Sequence, residues 1–439
     1  MKKLFLSILS LFFFTFIMAQ KNYWSAHTGS GNIVTDKSVA RVSFPKVFKL
    51  YDLNLSDLRS QLFSVVDNAR QHSNVISLPN VDGQLEEFEI VEASNFEPAL
   101  QARYPEIRAF SGKGITDKYA SLKLSYSPQG IQTMIFRVDR PNEFIEPYSQ
   151  DHATYAVFVS ERQQGQAHWN CNTQDRILSD GINTLVMNTG ITARSGGDLK
   201  TMRLAQSVTA EYSNYFGATS SSQSSLVLAA VNNTLTRCNG CYEKDLAIHL
   251  NLIANTTSVI YYNASTDPYT NLNNWNSQLQ STLTSVIGEA NYDIGHMFGA
   301  SGGGGNAGCI GCICVNGTKG SGITSPADGI PQGDNFDIDY VVHEVGHQFG
   351  GNHTFSMSNE GSGVNKEIGS GITIMGYAGI TSQDVAPHSI DIYHEASIAQ
   401  IQSNLTTKTC PVTTSLTGTN ATPVVAAVGS YIIPKSTPF

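Results

Sequence analysis

Apolar positions change their rhythm near Leu199. Before it they come mostly in short runs of strand type. "ASLKLSYSPQGIQTMIFRV" has strand-like ends around a Ser-Pro-Gln-Gly turn and predicts a hairpin, and "YAVFVS" predicts a further strand. In "SDLRSQLFSVVDNA" the apolar residues Leu58, Leu62, Val65 and Val66 recur at helical spacing, with Ser56 as N-cap. Lys21 to about Asp180 is therefore read as a β-rich unit with a little helix, and "NTGITARSGGDLK" as an exposed basic link. Beyond it strands and helices alternate. "MRLAQSVTAEYSNYF" starts as a strand, "SSQSSLVLAAVNNTLTR" is a helix, "DLAIHLNLI" a strand, "NNWNSQLQSTLTSVI" a helix and "IGHMFG" a strand. A glycine-rich loop, "ASGGGGNAGCIGCICVNGTKGSG", precedes a helix at about Asn335–Gly350, an irregular loop and a last helix at "SIDIYHEASIAQIQSNL". This alternation predicts an α/β (α+β) domain ending near Cys410. The Thr-, Pro- and Gly-containing segment after Cys410 reads as a linker, within which "VVAAVGSYII" is a candidate start of a new strand.

The ends and the composition change this picture in three ways. "MKKLFLSILSLFFFTFIMAQ" has a basic start, an apolar run from Leu4 to Met18 and a small residue at Ala19, the pattern of a secretory signal peptide over residues 1–19. The run is short for a membrane anchor and no basic flank follows it, so an exported, soluble protein without stable membrane insertion is expected. A net charge of −9, with no Lys/Arg run outside the extreme N-terminus, argues against nucleic acid as a partner. Export would place the seven cysteines (Cys171, Cys238, Cys241, Cys309, Cys312, Cys314 and Cys410) where disulfides persist. The count is odd, and Cys171 stands apart.

The chemistry is concentrated in "HEVGHQFGGNH", His343–His353. On a helix His343 and His347 lie on one face one turn apart, a spacing that lets two imidazoles share one zinc ion. Glu344 points aside, where a carboxylate reaches a metal-bound water without ligating the metal. Gly350 stands where the helix must stop, and the turned chain can bring His353 back as third ligand. Three histidines leave the fourth position open, the arrangement of a catalytic zinc. The five fixed positions of HExxHxxGxxH arise by chance in a chain of this size on the order of once in ten thousand or more rarely.

With these residues the chain resembles the metzincin zinc endopeptidases. Met375 in "SGITIMGYAGI" stands where their methionine turn is expected, and "DNFDIDYVVHEVGHQFGGNHTF" is most similar to bacterial secreted reprolysin-like (adamalysin-related) peptidases. The resemblance covers about Leu199 to Cys410 and, more loosely, the preceding β-rich part, which is similar to their propeptide. Two departures concern the subfamily: Thr354 stands where adamalysin-type enzymes carry Asp, and Tyr377 resembles the Met-x-Tyr of astacins and serralysins, whose tyrosine can ligand zinc or stabilise the transition state, against the preferred reading of a core or cleft tyrosine. The resemblance implies that the segment holding Gly302, Gly303, Gly304 and Gly305 is the upper edge strand approached by substrate, against the plainer reading of a flexible loop. It implies a Cys314–Cys410 disulfide. It also makes Cys171 a candidate latency switch whose thiolate fills the open zinc position, with a structural or incidental thiol as the alternative, since "HWNCNTQD" lacks the fuller matrixin motif. The pairs Cys238/Cys241 and Cys309/Cys312 can close locally or on each other, or hold a structural zinc. His296, His388 and His394 are read as core or surface residues. Asp334, Asp337 and Asp339 are calcium candidates or, the preferred reading, helix-start charges.

The expected organisation is a signal peptide (1–19), a β-rich propeptide (20–195), a metzincin-like peptidase domain (196–412), and a linker opening a C-terminal extension (413–439). The expected function is that of a secreted, monomeric zinc endopeptidase made as a zymogen and acting on proteins or peptides, with Glu344 as general base. The competing readings are a catalytically silent surface or adhesion protein on the same fold and a zinc hydrolase with a non-peptide substrate.

Overall fold

The computed structural model describes residues 22–66, 72–160, 169–175, 197–358 and 360–416. The signal peptide, residues 188–196 of the Gly/Ser link and the strand expected after residue 420 lie outside these residues, and the end of the link, from Asp198, is the start of a strand. Among the described residues no helix is long and apolar enough to cross a membrane.

The N-terminal unit is one antiparallel sheet of nine strands: β1 (Trp24–Ala26), β2 (Lys49–Leu53), β3 (Asn74–Pro79), β4 (Leu85–Glu92), β5 (Arg108–Gly114), β6 (Ser121–Ser127), β7 (Gly130–Phe136), β8 (Glu143–Pro147) and β9 (Thr154–Val159). Its order, β1-β2-β9-β8-β7-β6-β5-β4-β3, is a meander from β3 to β9 with β2 and β1 added beside β9. The predicted hairpin is β6–β7, with Ser127 opposite Gly130 across the Pro128–Gln129 turn. The predicted helix is α1 (Leu55–Phe63), but its cap is Asn54, whose side chain accepts the Asp57 N–H at 3.2 Å. Asparagine at that position starts the helix one residue before Ser56 can cap it. A second short helix is α2 (Pro98–Arg103).

Period-2 alternation gives this sheet two apolar faces. Ile131, Ile135, Ile145 and Val157 join Leu58 and Leu62 of α1 in one core. Met134, Phe136, Phe144 and Phe158 face the other way, into a core shared with the second unit.

The second unit has a six-stranded sheet: β10 (Asp198–Val208), β11 (Ile248–Leu252), β12 (Ile294–Phe298), β13 (Gly304–Asn306), β14 (Gly322–Ser325) and β15 (Val412–Ser415). The order is β11-β10-β12-β14-β13, with β15 on the free half of β10; only β13 and β15 run antiparallel to their neighbours. Its helices are α3 (Ala210–Tyr215), α4 (Ser224–Leu246), α5 (Leu272–Thr282), α6 (His343–Phe349) and α7 (Glu395–Thr406). Several boundaries differ from the sequence reading. Helix α4 continues past Arg237 through Gly240, where a β-carbon would stand 2.7 Å from the Phe136 ring, so the two units meet closely because this residue is glycine. The helix expected over Asn335–Gly350 is π-helical from Asn335 to Val342 before α6 begins. Helix α7 starts at Glu395 because the His394 side chain caps Ala396 N–H at 3.1 Å, while Ile390 and Ile392 pair with the backbone of Ile372 and Ile374. β15 lies partly in the segment read as linker.

The junction between the units is polar as well as apolar. Arg237 of α4 is buried, with its guanidinium 2.8 Å from Glu146, 2.9 Å from Asp337 and 3.0 Å from the Thr133 carbonyl. Glu146 also meets Arg41 at 2.7 Å. Asn95 donates to Asn232 and Thr236 of α4 and accepts from Asn239. Asp334 pairs with Arg41, and Asp339 accepts from Asn335 and Ser389. These three aspartates are thus engaged by protein groups of both units.

Lys123 of β6 lies 2.5 Å from Glu243 of α4, and His249 approaches the other oxygen at 2.7 Å. Burial raises the Glu243 pKa, but Lys123 and His249 outweigh it and hold the carboxyl down at about 2, from 4.5. A folded-state value below the unfolded one means stability that is complete above the unfolded pKa and lost as pH falls through the interval between them. The urea midpoint should therefore drop between about pH 5 and pH 3 more in the parent than in Lys123→Met. Equal drops would remove Lys123 from this linkage.

Candidate active site

Helix α6 carries His343, Glu344 and His347, and all three are buried. Gly350 ends it at φ +126°, its N–H returning to the His347 carbonyl at 2.9 Å, so the chain reverses and brings His353 back. The His347 Nε2 atom then lies 3.2 Å from His343 Nε2 and 3.0 Å from His353 Nε2. Backbone carbonyls orient two of the rings. His343 Nδ1–H donates to Ile374 at 2.6 Å and His347 Nδ1–H to Gly351 at 2.7 Å, which leaves each Nε2 as the ligating atom. His353 Nδ1 faces Asp175 and Glu360, each at 3.0 Å.

Three nitrogens sharing a tetrahedral zinc at about 2.0–2.1 Å stand about 3.3–3.4 Å apart, and a sulfur in the fourth position stands about 3.6 Å from each nitrogen. Cys171 Sγ is 3.6 Å from His347 Nε2, and Cys171, His343, His347 and His353 form one metal-capable group among the described residues. The donor set fits zinc. Burial, followed by the neighbouring His353, lowers His343 to about 3 and puts His347 well below its usual range, so both are neutral and ready to ligate. Burial acts on His353 in the same sense, but Asp175, Cys171 and Glu360 together raise it. Burial and the Glu344 carboxylate push the Cys171 thiol up to about 11; a cation among the histidines is what would favour its thiolate.

Glu344 lies beside this group rather than in it. Its Oε2 accepts the Thr173 hydroxyl at 3.0 Å, and burial pushes its carboxyl up to about 7 against the lowering effect of Cys171 and Thr173. The Tyr377 hydroxyl is 3.0 Å from His353 Nε2, and burial moves its phenol above the ordinary range. Thr354 donates to Glu367, which also takes the backbone N–H groups of Ile372 and Thr373 at 2.8 and 3.0 Å. The residue after the third histidine is thereby tied to the loop holding Met375.

Met375 is fully buried against α6. A β-carbon on Gly346 would stand 2.7 Å from its sulfur and 2.9 Å from the Tyr393 hydroxyl. Gly346→Ala should therefore destabilise the protein by about 1–3 kcal/mol, the usual cost of overpacking, despite alanine's helix preference. Urea unfolding reads this, and an unchanged midpoint would show that the contact relaxes freely.

Gly302 and Gly303 take positive φ angles at the turn into β13, which contains Gly304 and Gly305. β13 ends the sheet, and Gly305 bonds to the segment around Cys171: its N–H reaches the Asn170 carbonyl at 2.9 Å and its carbonyl accepts Asn172 N–H at 2.8 Å. Cys314 is bonded to Cys410, and Cys309 to Cys312. Cys238 and Cys241, read as disulfide or zinc candidates, are buried free thiols of α4. Held in one helix, they direct their sulfurs to different carbonyls, of Asp337 and Asp391, instead of to each other. His296 is a core residue between Gln348 and Thr324, lowered to about 4 by burial. Trp169, Thr173, Asp175 and Glu360 were missed by motif reading; the alternation in "WNCNTQD" is the signal that could have found the first three.

Residues 199–405 match the family model described as Metallo-peptidase family M12B Reprolysin-like. No curated protein matches the chain.

Proposed function

Taking residues 199–405 as a reprolysin-like metallopeptidase domain, we propose that the chain is a secreted zinc endopeptidase held latent by its own N-terminal part. The observation that carries this is the convergence of three Nε2 atoms, with Glu344 beside them and Cys171 on their open side. His343, His347 and His353 hold the zinc, which when bound acidifies water and polarises the scissile carbonyl. Glu344 takes a proton from the attacking water and returns it to the departing amine, a task suited to a carboxylate that stands beside the ligands without joining them. The Tyr377 hydroxyl donates toward the developing oxyanion. Met375 forms the turn beneath the ligands, and the backbone of Gly305 pairs with an extended substrate as it now pairs with Asn170 and Asn172.

In this reading residues 1–19 are the leader, residues up to about 195 the propeptide and 196–412 the peptidase. Two disulfides in the second unit agree with an oxidising destination. The test is metal content and casein cleavage by full-length protein before and after limited proteolysis between residues 176 and 196. One zinc per chain is expected in both states, with cleavage appearing only after scission, lost to a chelator and restored by zinc. Zinc-loaded, cut protein that leaves unfolded casein intact would sink the peptidase reading.

A further inference from the structure

The segment Trp169–Asp175 lies along β13 with alternating burial: Trp169 and Thr173 are buried, whereas Asn170, Asn172 and Gln174 are exposed. Side chains two apart in an extended chain share a face. Trp169, Cys171 and Thr173 accordingly all point into the second unit, and each meets a different part of the site. Thr173 reaches Glu344, and Cys171 reaches the histidines. Trp169 fills a pocket between Tyr340 and the Ile374–Ile380 stretch, and the small cavity left beside its ring is also lined by the polar residues Asp339 and Ser389. Its indole lies flat on the Tyr340 ring, with centroids 4.4 Å apart and planes 7° from parallel, and presents an edge to His343 at 5.8 Å. The indole is 3 % exposed, and the space left beside it is ≈ 10 Å³, no more than one water needs.

We propose that this pocket selects a large flat aromatic side chain on the substrate residue next to the scissile bond; the proposal rests on the peptidase reading above. A substrate paired with Gly305 places its reacting carbonyl where Cys171 now stands, and a neighbouring side chain on the same side of the cleft enters the space that Trp169 fills. The chain's own plug thus reports what the pocket holds. The Tyr340 ring supplies a stacking floor worth more to an aromatic ring than to an aliphatic chain of equal area. Ile374, Ala378 and Ile380 supply apolar walls. The indole N–H finds no protein acceptor there, so recognition falls on the ring and extends to Phe and Tyr as well as Trp.

Two measurements test this. In the first, full-length protein activated by limited proteolysis cuts unfolded casein and the new ends are read by mass spectrometry. Aromatic residues should be enriched about fivefold or more at one flank of the cuts, the order expected for one well-filled pocket. In the second, the modification rate of Cys171 by a maleimide is compared in full-length parent, Trp169→Phe and Trp169→Ala. Cys238 and Cys241, at 1 % and 0 % exposure, do not contribute. Trp169→Phe should react within about threefold of the parent and Trp169→Ala about tenfold faster, the effect of losing part of a buried ring's burial energy on the seating of the segment. Cuts without aromatic enrichment, or an Ala variant as slow as the parent, would overturn the pocket proposal and leave the peptidase reading standing. No cuts at all would overturn the peptidase reading and this proposal with it, and rates that still follow ring size would then show only that Trp169 seats the segment.

Discussion

Glu344→Ala should lower casein cleavage by the proteolytically activated protein about 10²–10⁴-fold and leave bound zinc at the parent level. The two halves of this expectation come from different geometry. The metal-capable nitrogens belong to His343, His347 and His353, and the carboxylate is not among the four residues of that group, so its loss removes no ligand. The proton-transfer role rests on the position of Glu344 beside the group, with its Oε2 now held by the Thr173 hydroxyl of the segment that activation releases. A carboxylate beside the metal-capable nitrogens and outside their group is placed to act as a general base. Metal content by elemental mass spectrometry and kcat/KM on a casein peptide separate the two halves. A variant that keeps more than about a tenth of parental kcat/KM would displace Glu344 as the general base, since the smallest usual loss is about a hundredfold. Loss of the zinc together with the activity would assign it a structural role.

Arg237→Ala should destabilise the full-length protein by about 3–5 kcal/mol, the cost of breaking a buried ion pair from one side. Arg237 is 1 % exposed and stands between Glu146 of β8 and Asp337 of the π-helical stretch before α6, with its guanidinium 5.1 Å from the Phe144 ring centroid. Removing it leaves two buried carboxylates facing each other, with Arg41 able to answer only Glu146 and Asp334. Burial already holds Asp337 at about 6 even with Arg237 beside it. Urea unfolding of parent, Arg237→Ala and Arg237→Lys gives the comparison. The lysine variant should fall between the other two, because it keeps a charge but loses the fork that spans both carboxylates. A loss below about 1 kcal/mol for the alanine variant would mean that water or a rearranged Arg41 takes over, against the cost expected for an uncompensated buried charge.

The sequence revealed most where structure is local. The Ser-Pro-Gln-Gly hairpin, the Gly350 reversal and the helix bearing His343 and His347 each depend on a few adjacent residues, and each stands in the structure close to where the pattern put it. It revealed less where partners are remote. Helix α4 outlasts its expected end because residues from Arg237 to Leu246 are stabilised by packing, and the contacts that do this come from β6, β7 and the Met375 side of the fold. β13 and β15 are short and polar, with no apolar alternation to announce them; they are strands because β14 and β10 offer backbone partners. In the site, the motif identified the nitrogens but not the groups that orient them. Those groups are the Ile374 and Gly351 carbonyls, with Asp175 and Glu360, brought together by folding from separate parts of the chain.

The pairing of β15 with β10 has a topological consequence. Asp198 lies opposite Ser415, and the Leu416 N–H reaches the Gly197 carbonyl at 2.5 Å, so the second unit's first and last described residues leave from one point. A unit whose ends meet behaves as a closed ring in all but the final peptide bond. Joining residue 416 to residue 197 through a few glycines and reopening the chain at the exposed Asn263–Thr266 turn would keep every strand neighbour of the second sheet. The N-terminal sheet would then no longer be supplied on the same chain, and adding it separately would show how far the second unit depends on it to fold.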